Sequence, residues 1–333
     1  MKAVQLTKYS KKHPKYQLAD IEEEILGPKD IRVKVIAAGV NPLDYKIAHG
    51  DIKLLLPYKL PLTMGNELVG IVTEIGEKVP HGLKVGDRIF ARLPIDRIGS
   101  FAESAVLNYR AAAKVPDYLS DEEAAAVPLS ALTAMQALGL FNGKHGDSLF
   151  IAGGTGSFGA MAIPLATAFS FKVITNGSER NRAKVENLGV SQFIDYHTTD
   201  YSEVLHDIDF VIDTIGGKEI KKSLSILKTG GTVVSLNRPV NREFAEQIGM
   251  NDFQKILFTL DGLKIDHLAE KQGKHYRFIM ARSSGIQLTV AAKILEQKQI
   301  HPAIGGVYDL KHYQDALNQV EEGHNSGKII IKP

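Results

Sequence analysis

The hydrophobic pattern changes along the chain, and each change predicts a different kind of fold. In the first third, short apolar runs alternate with turns rich in glycine and proline, which is typical of a small, partly closed β-barrel. The predicted strands are Lys2–Leu6, Tyr16–Ile21, Ile31–Ala38, Gly70–Ile75, Arg88–Ala91 and Phe101–Leu107. From Glu122 an alanine-rich helical stretch, with a bend at Pro128, leads into a second domain.

After residue 148, strands alternate with helices, which predicts a parallel, doubly wound sheet. The unbroken apolar run Leu149–Ile151 indicates a strand covered on both faces. The further predicted strands are Phe171–Thr175, Gln192–Asp195, Phe210–Asp213, Thr232–Leu236 and Tyr276–Ala281. The loops that follow the strands are expected to line a ligand crevice. They include Gly216–Gly217, Asn237–Pro239 and Met280–Ser283.

The pattern from Gly285 onward predicts a helix, a strand region at Ile300–Tyr308, an amphipathic helix Lys311–Glu322 and a last strand Lys328–Lys332. This tail has too few strands to form a core alone, so we expect it to return to the first domain. The predicted domains are therefore residues 1–124 together with 284–333, and residues 125–283.

A glycine turn follows the first strand of the predicted parallel sheet. Gly154, Gly156 and Gly159 have the GxGxxG spacing that bends the chain, admits a pyrophosphate and lets a helix lie close to the strand. The amino end of that helix favours negative charge. The pattern predicts a dinucleotide site, although Pro164 should cost about 3 kcal/mol inside the helix unless a kink accommodates it.

Composition narrows the classes of function. The 40 basic and 38 acidic residues are interspersed and give a net charge of +2, which predicts no nucleic-acid partner and no membrane association. No signal peptide or membrane-spanning run is evident, so a cytoplasmic location is expected. The absence of cysteine excludes disulfides, thiolate catalysis and cysteine-ligated metal sites.

Four segments resemble the medium-chain dehydrogenase/reductase superfamily, in particular its zinc-independent quinone oxidoreductase branch related to zeta-crystallin. They are AAGVNPLDYK at 37–46, MGNELVGIVTEIG at 64–76, VGDRIFA at 85–91 and PLSALTAMQAL at 128–138. The resemblance implies an α/β protein with a GroES-like β-barrel catalytic domain, 1–124 with 284–333, and an inserted Rossmann domain, 125–283.

The zinc ligands of related dehydrogenases are missing from this sequence. Zinc-dependent relatives have a cysteine within the segment matching Gly39–Asp44, a histidine at the position of Asn66, and a further cysteine near Leu129 and Ser130. The four-cysteine lobe that binds structural zinc in the family is also missing. We therefore expect no metal site.

Cofactor choice depends on the residues after the second parallel strand. A carboxylate there would bind the adenosine ribose of NAD, but Asn176, Gly177 and Ser178 occupy this stretch and are followed by Arg180 and Arg182. A hydroxyl and a guanidinium suit the 2′-phosphate of NADP(H). Alternatively, both arginines lie on the solvated start of a helix. The family often has lysine where this chain has Asn181, so the residue that binds the phosphate stays open.

The resemblance and the strand ends together define a cofactor-binding set. Thr133 resembles the family threonine that contacts the nicotinamide half, and Tyr196 a tyrosine near the adenosine phosphate, although a core tyrosine would look the same. The set is Thr133, Gly154, Thr155, Gly156, Ser157, Phe158, Gly159, Ser178, Arg180, Tyr196, Ile215, Leu236 and Met280.

Reduction of a quinone or an enone by hydride places negative charge on oxygen, which hydrogen-bond donors can stabilise. The candidate catalytic residues are Asn41, Asp44, Tyr45 and Tyr58, with Asn41 the first choice for orienting the substrate. Asn41 could instead only shape the turn before Pro42. Tyr45 stands one position away from the tyrosine of some relatives.

The function predicted from these observations is NADPH-dependent reduction of a quinone. The alternatives are reduction of α,β-unsaturated aldehydes or ketones, and a non-catalytic NADPH-binding sensor. Pairing of the strand Tyr276–Ala281 across a two-fold axis is expected to form a homodimer, because an exposed apolar edge strand would otherwise aggregate. The acceptor stays open, since loops at Gly50–Leu62 and Asn251–Gly273 are expected to form the pocket walls.

Overall fold

The computed structural model describes residues 1–323 and 327–333, which form two compact units. The first unit comprises Met1–Leu132 and Arg282–Pro333, and the second comprises Thr133–Ala281. As functional domains, residues 1–124 with 284–333 and residues 125–283 stay a prediction.

The first part of the chain is mainly β-structure. Its elements are β1 (Lys2–Lys8), β2 (Lys15–Asp20), β3 (Asp30–Val40), α1 (Pro42–His49), β4 (Leu62–Thr63), β5 (Glu67–Ile75), β6 (Arg88–Arg92), β7 (Ser104–Asn108), β8 (Ala112–Lys114), α2 (Asp121–Ala125) and α3 (Pro128–Leu138). Gly70 lets β5 approach β3 closely, since a Cβ at this position would lie 2.2 Å from the Lys34 carbonyl oxygen. Pro128 begins α3, where its missing N–H costs nothing.

The middle of the chain alternates strands and helices, as predicted. Its elements are β9 (Ser148–Ala152), α4 (Ser157–Ala168), β10 (Lys172–Gly177), α5 (Arg182–Glu186), β11 (Gln192–Asp195), α6 (Tyr201–Val204), β12 (Ile208–Asp213), α7 (Glu219–Ile226), β13 (Leu227–Ser235), α8 (Arg242–Gln247), α9 (Asp252–Lys271) and β14 (His275–Phe278). The six strands are parallel in the order β11-β10-β9-β12-β13-β14. The strand order reverses beside β9, where such sheets bind ligands.

The tail contains α10 (Gly285–Gln297), β15 (Ile304–Asp309), α11 (Tyr313–Glu322) and β16 (Lys328–Lys332). Strand β16 lies between β15 and β3, so the tail completes a sheet begun near the start of the chain, in the order β15-β16-β3-β5-β6-β8, with β7 also paired to β3. A smaller sheet has the order β2-β1-β4. The predicted return of the tail to the first strands is thus observed in the strand pairing.

One expectation about local structure is wrong. The stretch Asn251–Gly273 is not a loop, because Asn251 caps the long helix α9 by accepting a hydrogen bond from the Gln254 N–H at 2.9 Å. Strand β14 is an edge strand of the parallel sheet, as the dimer prediction assumes, and its side chains Tyr276 and Phe278 are buried. The dimer itself stays a prediction. Pro164 lies inside helix α4, where the sequence placed it.

The described residues include no helix that is both long enough and apolar enough to cross a membrane.

Candidate functional site

The glycine turn after β9 has the geometry that the spacing predicts. A Cβ on Gly159 would lie 1.8 Å from the Gly154 carbonyl oxygen, so only glycine lets α4 pack against the turn. A Cβ on Gly154 would lie 2.3 Å from the Thr175 hydroxyl oxygen of β10. Gly156 is exposed, with no protein atom within 4 Å of its Cβ position. The middle glycine therefore leaves bare backbone for a ligand at the start of a helix.

Two side chains of β10 hold this turn in place. The Thr175 hydroxyl accepts a hydrogen bond from the Gly154 N–H at 3.1 Å and donates one to the Ile151 carbonyl oxygen at 2.7 Å. Asn176 Oδ1 accepts from the Gly153 N–H at 2.8 Å. Both side chains are buried, and they fix the turn before any ligand binds.

Most of the predicted cofactor residues lie at one edge of the parallel sheet, because the carboxyl ends of parallel strands share an edge. They are Gly154, Thr155, Gly156, Ser157, Phe158 and Gly159 after β9, Ser178 and Arg180 after β10, Tyr196 after β11, Ile215 after β12, Leu236 after β13 and Met280 after β14. Tyr196 and Ile215 are 55% and 50% exposed, so each offers apolar surface at this edge. Thr133 lies in α3 and does not belong to this row.

Asp213 organises the loops after β12 and β13, a role that the sequence did not indicate. Its buried carboxylate accepts hydrogen bonds from the N–H groups of Ile215 and Gly216 at 3.1 and 3.0 Å. It also accepts from the Ser235 hydroxyl at 2.9 Å. One carboxylate therefore positions the backbone beside two predicted cofactor residues.

The stretch Asn176–Ser178 at the end of β10 holds no carboxylate, as the sequence indicated. Glu179 stands directly after Ser178, but Arg182 binds both of its oxygens, at 2.6 and 2.9 Å. Arg182 also lies 4.7 Å over the Phe193 ring and begins α5, as the alternative of a solvated helix start requires. The exposed Arg180 has no ion pair or hydrogen bond with any described residue. Arg182 is therefore occupied by Glu179 and Phe193, whereas Arg180 is available to bind a ligand.

A second group of polar side chains is buried in the first unit. We call Asn41, Asp44, Asn66, Glu67, Arg92 and Lys328 the polar cluster; each is at most 5% exposed. Strands β5 and β6 pair Glu67 with Arg92, β16 contributes Lys328, and the start of α1 contributes Asp44. Buried charges of this kind require partners.

An ion pair and hydrogen bonds join Lys328, Glu67 and Asn41. The Lys328 ammonium forms an ion pair with Glu67 and donates to Asn41 Oδ1 at 2.6 Å. The Asn41 amide donates to Glu67 Oε1 at 2.8 Å and to the Gly39 carbonyl oxygen at 3.2 Å. The other oxygen of Glu67 accepts from the Leu129 N–H of α3 at 2.7 Å. Both amide hydrogens of Asn41 are therefore used within the protein, which leaves none for a substrate oxygen.

Asp44 is also occupied. Its carboxylate accepts hydrogen bonds from the Asn41 N–H at 2.7 Å and from the Asn66 amide at 2.8 Å. Burial raises the pKa of Asp44 to about 7, and the nearby Glu67 adds to this effect, while the two hydrogen bonds and Lys328 oppose it. Near neutral pH this carboxyl can therefore exchange a proton with its surroundings.

Arg92 differs from the other members of the polar cluster. Its guanidinium is fully buried and donates from Nη1 to the Leu93 carbonyl oxygen, whereas Nε and Nη2 have no partner among residues 1–323 and 327–333. Burial lowers the pKa of Arg92 to about 10, and Tyr58, Glu67 and Asp44 oppose the shift. The guanidinium is charged at neutral pH, and its charge is only partly compensated by hydrogen bonds.

The two predicted catalytic tyrosines differ in their surroundings, because Tyr58 lies close enough to Arg92 and Asp44 for their charges to act on its pKa, whereas Tyr45 faces other groups. Tyr45 is half-buried with its ring 5.8 Å from His49, which pairs with Glu321 of α11 at 3.4 Å. Burial raises the pKa of Tyr45, and Glu321 adds to the increase. The Tyr58 hydroxyl donates to the Ile95 carbonyl oxygen. Asn41 and Asp44 therefore belong to the polar cluster, Tyr58 lies beside it, and Tyr45 faces His49 instead.

No three histidine, aspartate or glutamate side chains in the described part of the chain are grouped so that they could hold a metal ion. At the position where zinc-dependent relatives have histidine, Asn66 binds Asp44 instead. That the reaction needs no metal stays a prediction.

Two family models match this chain. Residues 27–117 match the model described as alcohol dehydrogenase GroES-like domain, and residues 188–331 match the one described as zinc-binding dehydrogenase. A solved quinone oxidoreductase from Coxiella burnetii is 28% identical and superposes with a TM-score of 0.84, covering 100% of this chain and 99% of that chain. The chain belongs to the medium-chain dehydrogenase/reductase superfamily, in its zinc-independent quinone oxidoreductase branch. The predicted GroES-like β-barrel and Rossmann fold are thereby confirmed.

Curated members of the superfamily carry different activities in their names. The NAD(P)H oxidoreductase RTN4IP1, mitochondrial, of Danio rerio is 28% identical over 326 residues, which is 91% of this chain and 84% of the relative. The 2-methylene-furan-3-one reductase of Solanum lycopersicum is 28% identical over 324 residues, which is 94% of this chain and 73% of the relative. Family membership thus leaves the acceptor undecided.

Proposed function

We propose that this protein is an NADPH-dependent reductase that transfers hydride to a quinone without a metal ion. The observation that carries the proposal is the glycine turn at the carboxyl end of β9, where Gly156 leaves open backbone at the start of α4. The residues fit a pyrophosphate there, because the helix start offers unpaired N–H groups and positive potential. When bound, the dihydronicotinamide supplies the hydride.

The preference for NADPH is supported by the residues after β10. Ser178 uses no side-chain hydrogen bond to cap the turn that follows, and Arg180 is available, so both can bind a 2′-phosphate. Glu179, which could otherwise accept hydrogen bonds from a free ribose hydroxyl, is neutralised by Arg182. The arrangement therefore favours the phosphorylated cofactor.

Cofactor titrations test this preference. In the double variant Ser178→Ala, Arg180→Ala we expect NADPH affinity to fall by about 10- to 100-fold, the loss of one or two charge-assisted hydrogen bonds, with little change for NADH. Lys184→Ala is the matched control, since it removes an exposed cation of α5 four residues away. Equal losses for both cofactors would contradict the assignment.

For stabilising the charge that develops in the chemical step, Arg92 is a better candidate than Asn41. Asn41 has no free donor, whereas Arg92 is a buried cation with two nitrogen atoms that lack partners. We infer that the field of Arg92 stabilises the oxyanion that develops on the acceptor, since a charge in a site without water acts strongly. The Asp44 carboxyl, with its raised pKa, is the candidate source of the proton.

The role of Arg92 is tested by comparing Arg92→Lys with Arg92→Gln. Lysine retains the charge, so turnover should fall less than in the glutamine variant, where we expect a loss of roughly 100-fold at unchanged NADPH affinity. Equal turnover in the two variants would remove Arg92 from the mechanism.

The acceptor class is tested with NADPH and three substrates, which are a benzoquinone, a short-chain enone and a saturated ketone. We expect activity with the quinone. A preference for the enone would favour the second candidate function, which the similarity to a 2-methylene-furan-3-one reductase supports. Activity with the saturated ketone alone, or NADP reduction by isopropanol, would contradict both, and NADPH binding without turnover would indicate a sensor.

A further inference from the structure

Four asparagine side chains are buried in the described part of the chain, and three of them are fixed at their carbonyl oxygen. The Oδ1 of Asn41 accepts a hydrogen bond from an ammonium group at 2.6 Å. The Oδ1 atoms of Asn176 and Asn241 accept from backbone N–H groups at 2.8 and 3.2 Å. A side chain held in this way has one orientation, because turning it would bring its NH2 group against another donor.

Asn66 is the fourth of these side chains and differs from the others. It is completely buried and its Nδ2 donates to Asp44 Oδ1 at 2.8 Å, yet its own Oδ1 has no hydrogen-bond partner among residues 1–323 and 327–333. The unpaired nitrogen atoms of Arg92 lie in the same polar cluster and do not bind this oxygen. Among the described residues, only the carboxylate of Asp44 therefore holds the Asn66 amide in its orientation by a hydrogen bond.

The two donors that bind Asp44 differ in their freedom to turn. The Asn41 N–H belongs to the backbone at the start of α1, and it is fixed against Asp44 Oδ2 at 2.7 Å. The Asn66 amide can rotate by half a turn, which exchanges its NH2 group for its oxygen in nearly the same volume. A proton taken up by Asp44 therefore fits best on Oδ1, where the turned amide would accept it.

The titratable groups around Asp44 allow both of its protonation states. They are Tyr16 of β2, Tyr58, Glu67 of β5, Arg92 of β6 and Lys328 of β16. The Glu67 carboxylate and the Lys328 ammonium form an ion pair and act on the pKa of Asp44 in opposite directions. Burial raises the pKa of both tyrosines, which are therefore neutral. The burial of Asp44 then favours its acid form, while the charge of Arg92 favours its carboxylate.

We propose that Asn66 is a positioning residue that reverses its side-chain amide each time Asp44 gains or loses a proton. The amide donates to the carboxylate in one orientation and accepts from the carboxylic acid in the other. The consequence for catalysis rests on the proposed function, in which Asp44 supplies the proton of the reduction. As the O–H bond of the acid breaks and a new O–H bond forms on the acceptor oxygen, the turning amide stabilises the carboxylate that is left, and a proton from water restores the acid.

Neutron diffraction from crystals of the deuterated full chain tests the reversal at about pH 5 and about pH 9, on either side of the pKa of about 7. We expect Asn66 to present Nδ2 to Asp44 at the higher pH, and Oδ1 to a deuterated carboxyl group at the lower pH. Asn241 is the matched control, because it is buried beside Asp266 and its Oδ1 accepts from a backbone N–H. It should keep one orientation at both pH values. One orientation of Asn66 at both pH values would overturn the proposal.

A second measurement follows the Asn66 amide in solution, by NMR of the full chain with isotopic nitrogen only in asparagine. The NH2 resonances of Asn66 are identified by their loss in Asn66→Leu. They should shift as Asp44 titrates, because the turned amide no longer donates to the carboxylate. In Asp44→Asn they should stay constant over the same pH range. Resonances that titrate equally in the two chains, or in neither, would contradict the proposed link.

Turnover tests the catalytic part separately. Asn66→Leu keeps a similar volume but can neither donate nor accept a hydrogen bond, so we expect quinone reduction to fall by about 10-fold at unchanged NADPH affinity. Asn66→His should lose less, because a neutral imidazole has both a donor and an acceptor. Unchanged turnover in Asn66→Leu would remove Asn66 from the reaction. The diffraction and NMR measurements need no cofactor or acceptor, so a chain that shows the reversal without reducing quinones would confirm the reversal and contradict only the proposed function.

Discussion

The glycine turn and the polar cluster are both built from polar or backbone groups, yet they use their hydrogen-bonding capacity in opposite ways. At the turn, Thr175 and Asn176 hold the loop and leave the backbone at Gly156 open. In the polar cluster, Asn41, Glu67 and Lys328 bind one another, and only Arg92 and Asn66 keep buried atoms without partners. A ligand site can therefore be recognised by the hydrogen-bonding groups that have no partner within the protein.

The difference matters for assigning catalytic residues in this family. Asn41 has the residue type and sequence position expected of a catalytic donor, but its two amide hydrogens already have acceptors. The same comparison of donors and acceptors identifies Arg92 as the residue with donors that lack partners, although no sequence motif indicated it. Residue type alone therefore cannot assign a role in a buried network, because the partners decide what each group can still do.

The largest expected effect is on stability, when the polar cluster loses its lysine. Lys328→Ala leaves the Glu67 carboxylate buried without a cation, which should lower the free energy of unfolding by about 3–5 kcal/mol. Lys332→Ala is the control on the same strand. It breaks a partly exposed pair with Glu122 and should cost less than about 1 kcal/mol. Denaturant midpoints measure both, and similar midpoints would show that the cluster is not a unit.

Alanine substitutions at two glycines of the turn are expected to have different effects. Gly159→Ala forces a Cβ against the Gly154 carbonyl oxygen and should destabilise the protein by about 1–3 kcal/mol or more, with loss of cofactor binding. Gly156→Ala meets no protein atom, so thermal stability should stay the same while NADPH affinity falls. Retention of NADPH affinity in Gly156→Ala would mean that the cofactor does not approach the turn there.

A smaller effect should appear in the pH dependence of stability. The pKa of Asp44 is about 7 in the folded protein and 3.8 in its ordinary state, so the folded state holds the proton longer as pH rises. Stability from this group is complete below pH 4, is lost as pH rises through 7, and changes by about 1.4 kcal/mol per unit of pKa difference.

Asp44→Asn removes this titration while other carboxyl groups remain. The stability of the unmodified chain relative to Asp44→Asn should therefore decrease between pH 4 and 7 and stay level above pH 8. Unfolding free energies at four pH values measure this difference. A constant difference over that range would show that the pKa of Asp44 is not raised.

No effect at all is expected from removal of metal ions. Exhaustive dialysis against a chelator should leave quinone reduction by NADPH unchanged, since the sequence lacks the zinc ligands of related dehydrogenases. Stoichiometric zinc in the purified protein, with activity that disappears on its removal, would contradict this prediction.

The parts of the fold that follow from local pattern were predictable. The run Leu149–Ile151 before the glycine turn predicted β9 and α4, and the alternation after it predicted the parallel sheet. Strands β4 and β8 were missed, because two or three residues give no periodicity. The ion pair between Glu179 and Arg182 could not be predicted, because either side chain could equally have faced solvent.

The polar cluster could be predicted only in part, because its members are far apart in the chain. Asn66 and Glu67 stand in a family motif, but nothing near Lys328 indicates a partner 287 residues away at Asn41. The burial of Arg92 could not be predicted from the sequence either, since an arginine at the end of a strand is usually solvated. Contacts of this kind depend on the pairing of β16 with β3, which no local pattern specifies.

That pairing also bears on how the protein is made. Residues 133–281 are contiguous, so the parallel sheet can assemble as soon as its last strand leaves the ribosome. The sheet with β3 must wait for β16, and until then Glu67 and Asn41 lack the lysine that neutralises them. During synthesis the sheet of the first unit would therefore lack β16 until the end of elongation. Until then, the edge of β3 that pairs with β16 could pair with other strands, and chaperones would have to prevent this.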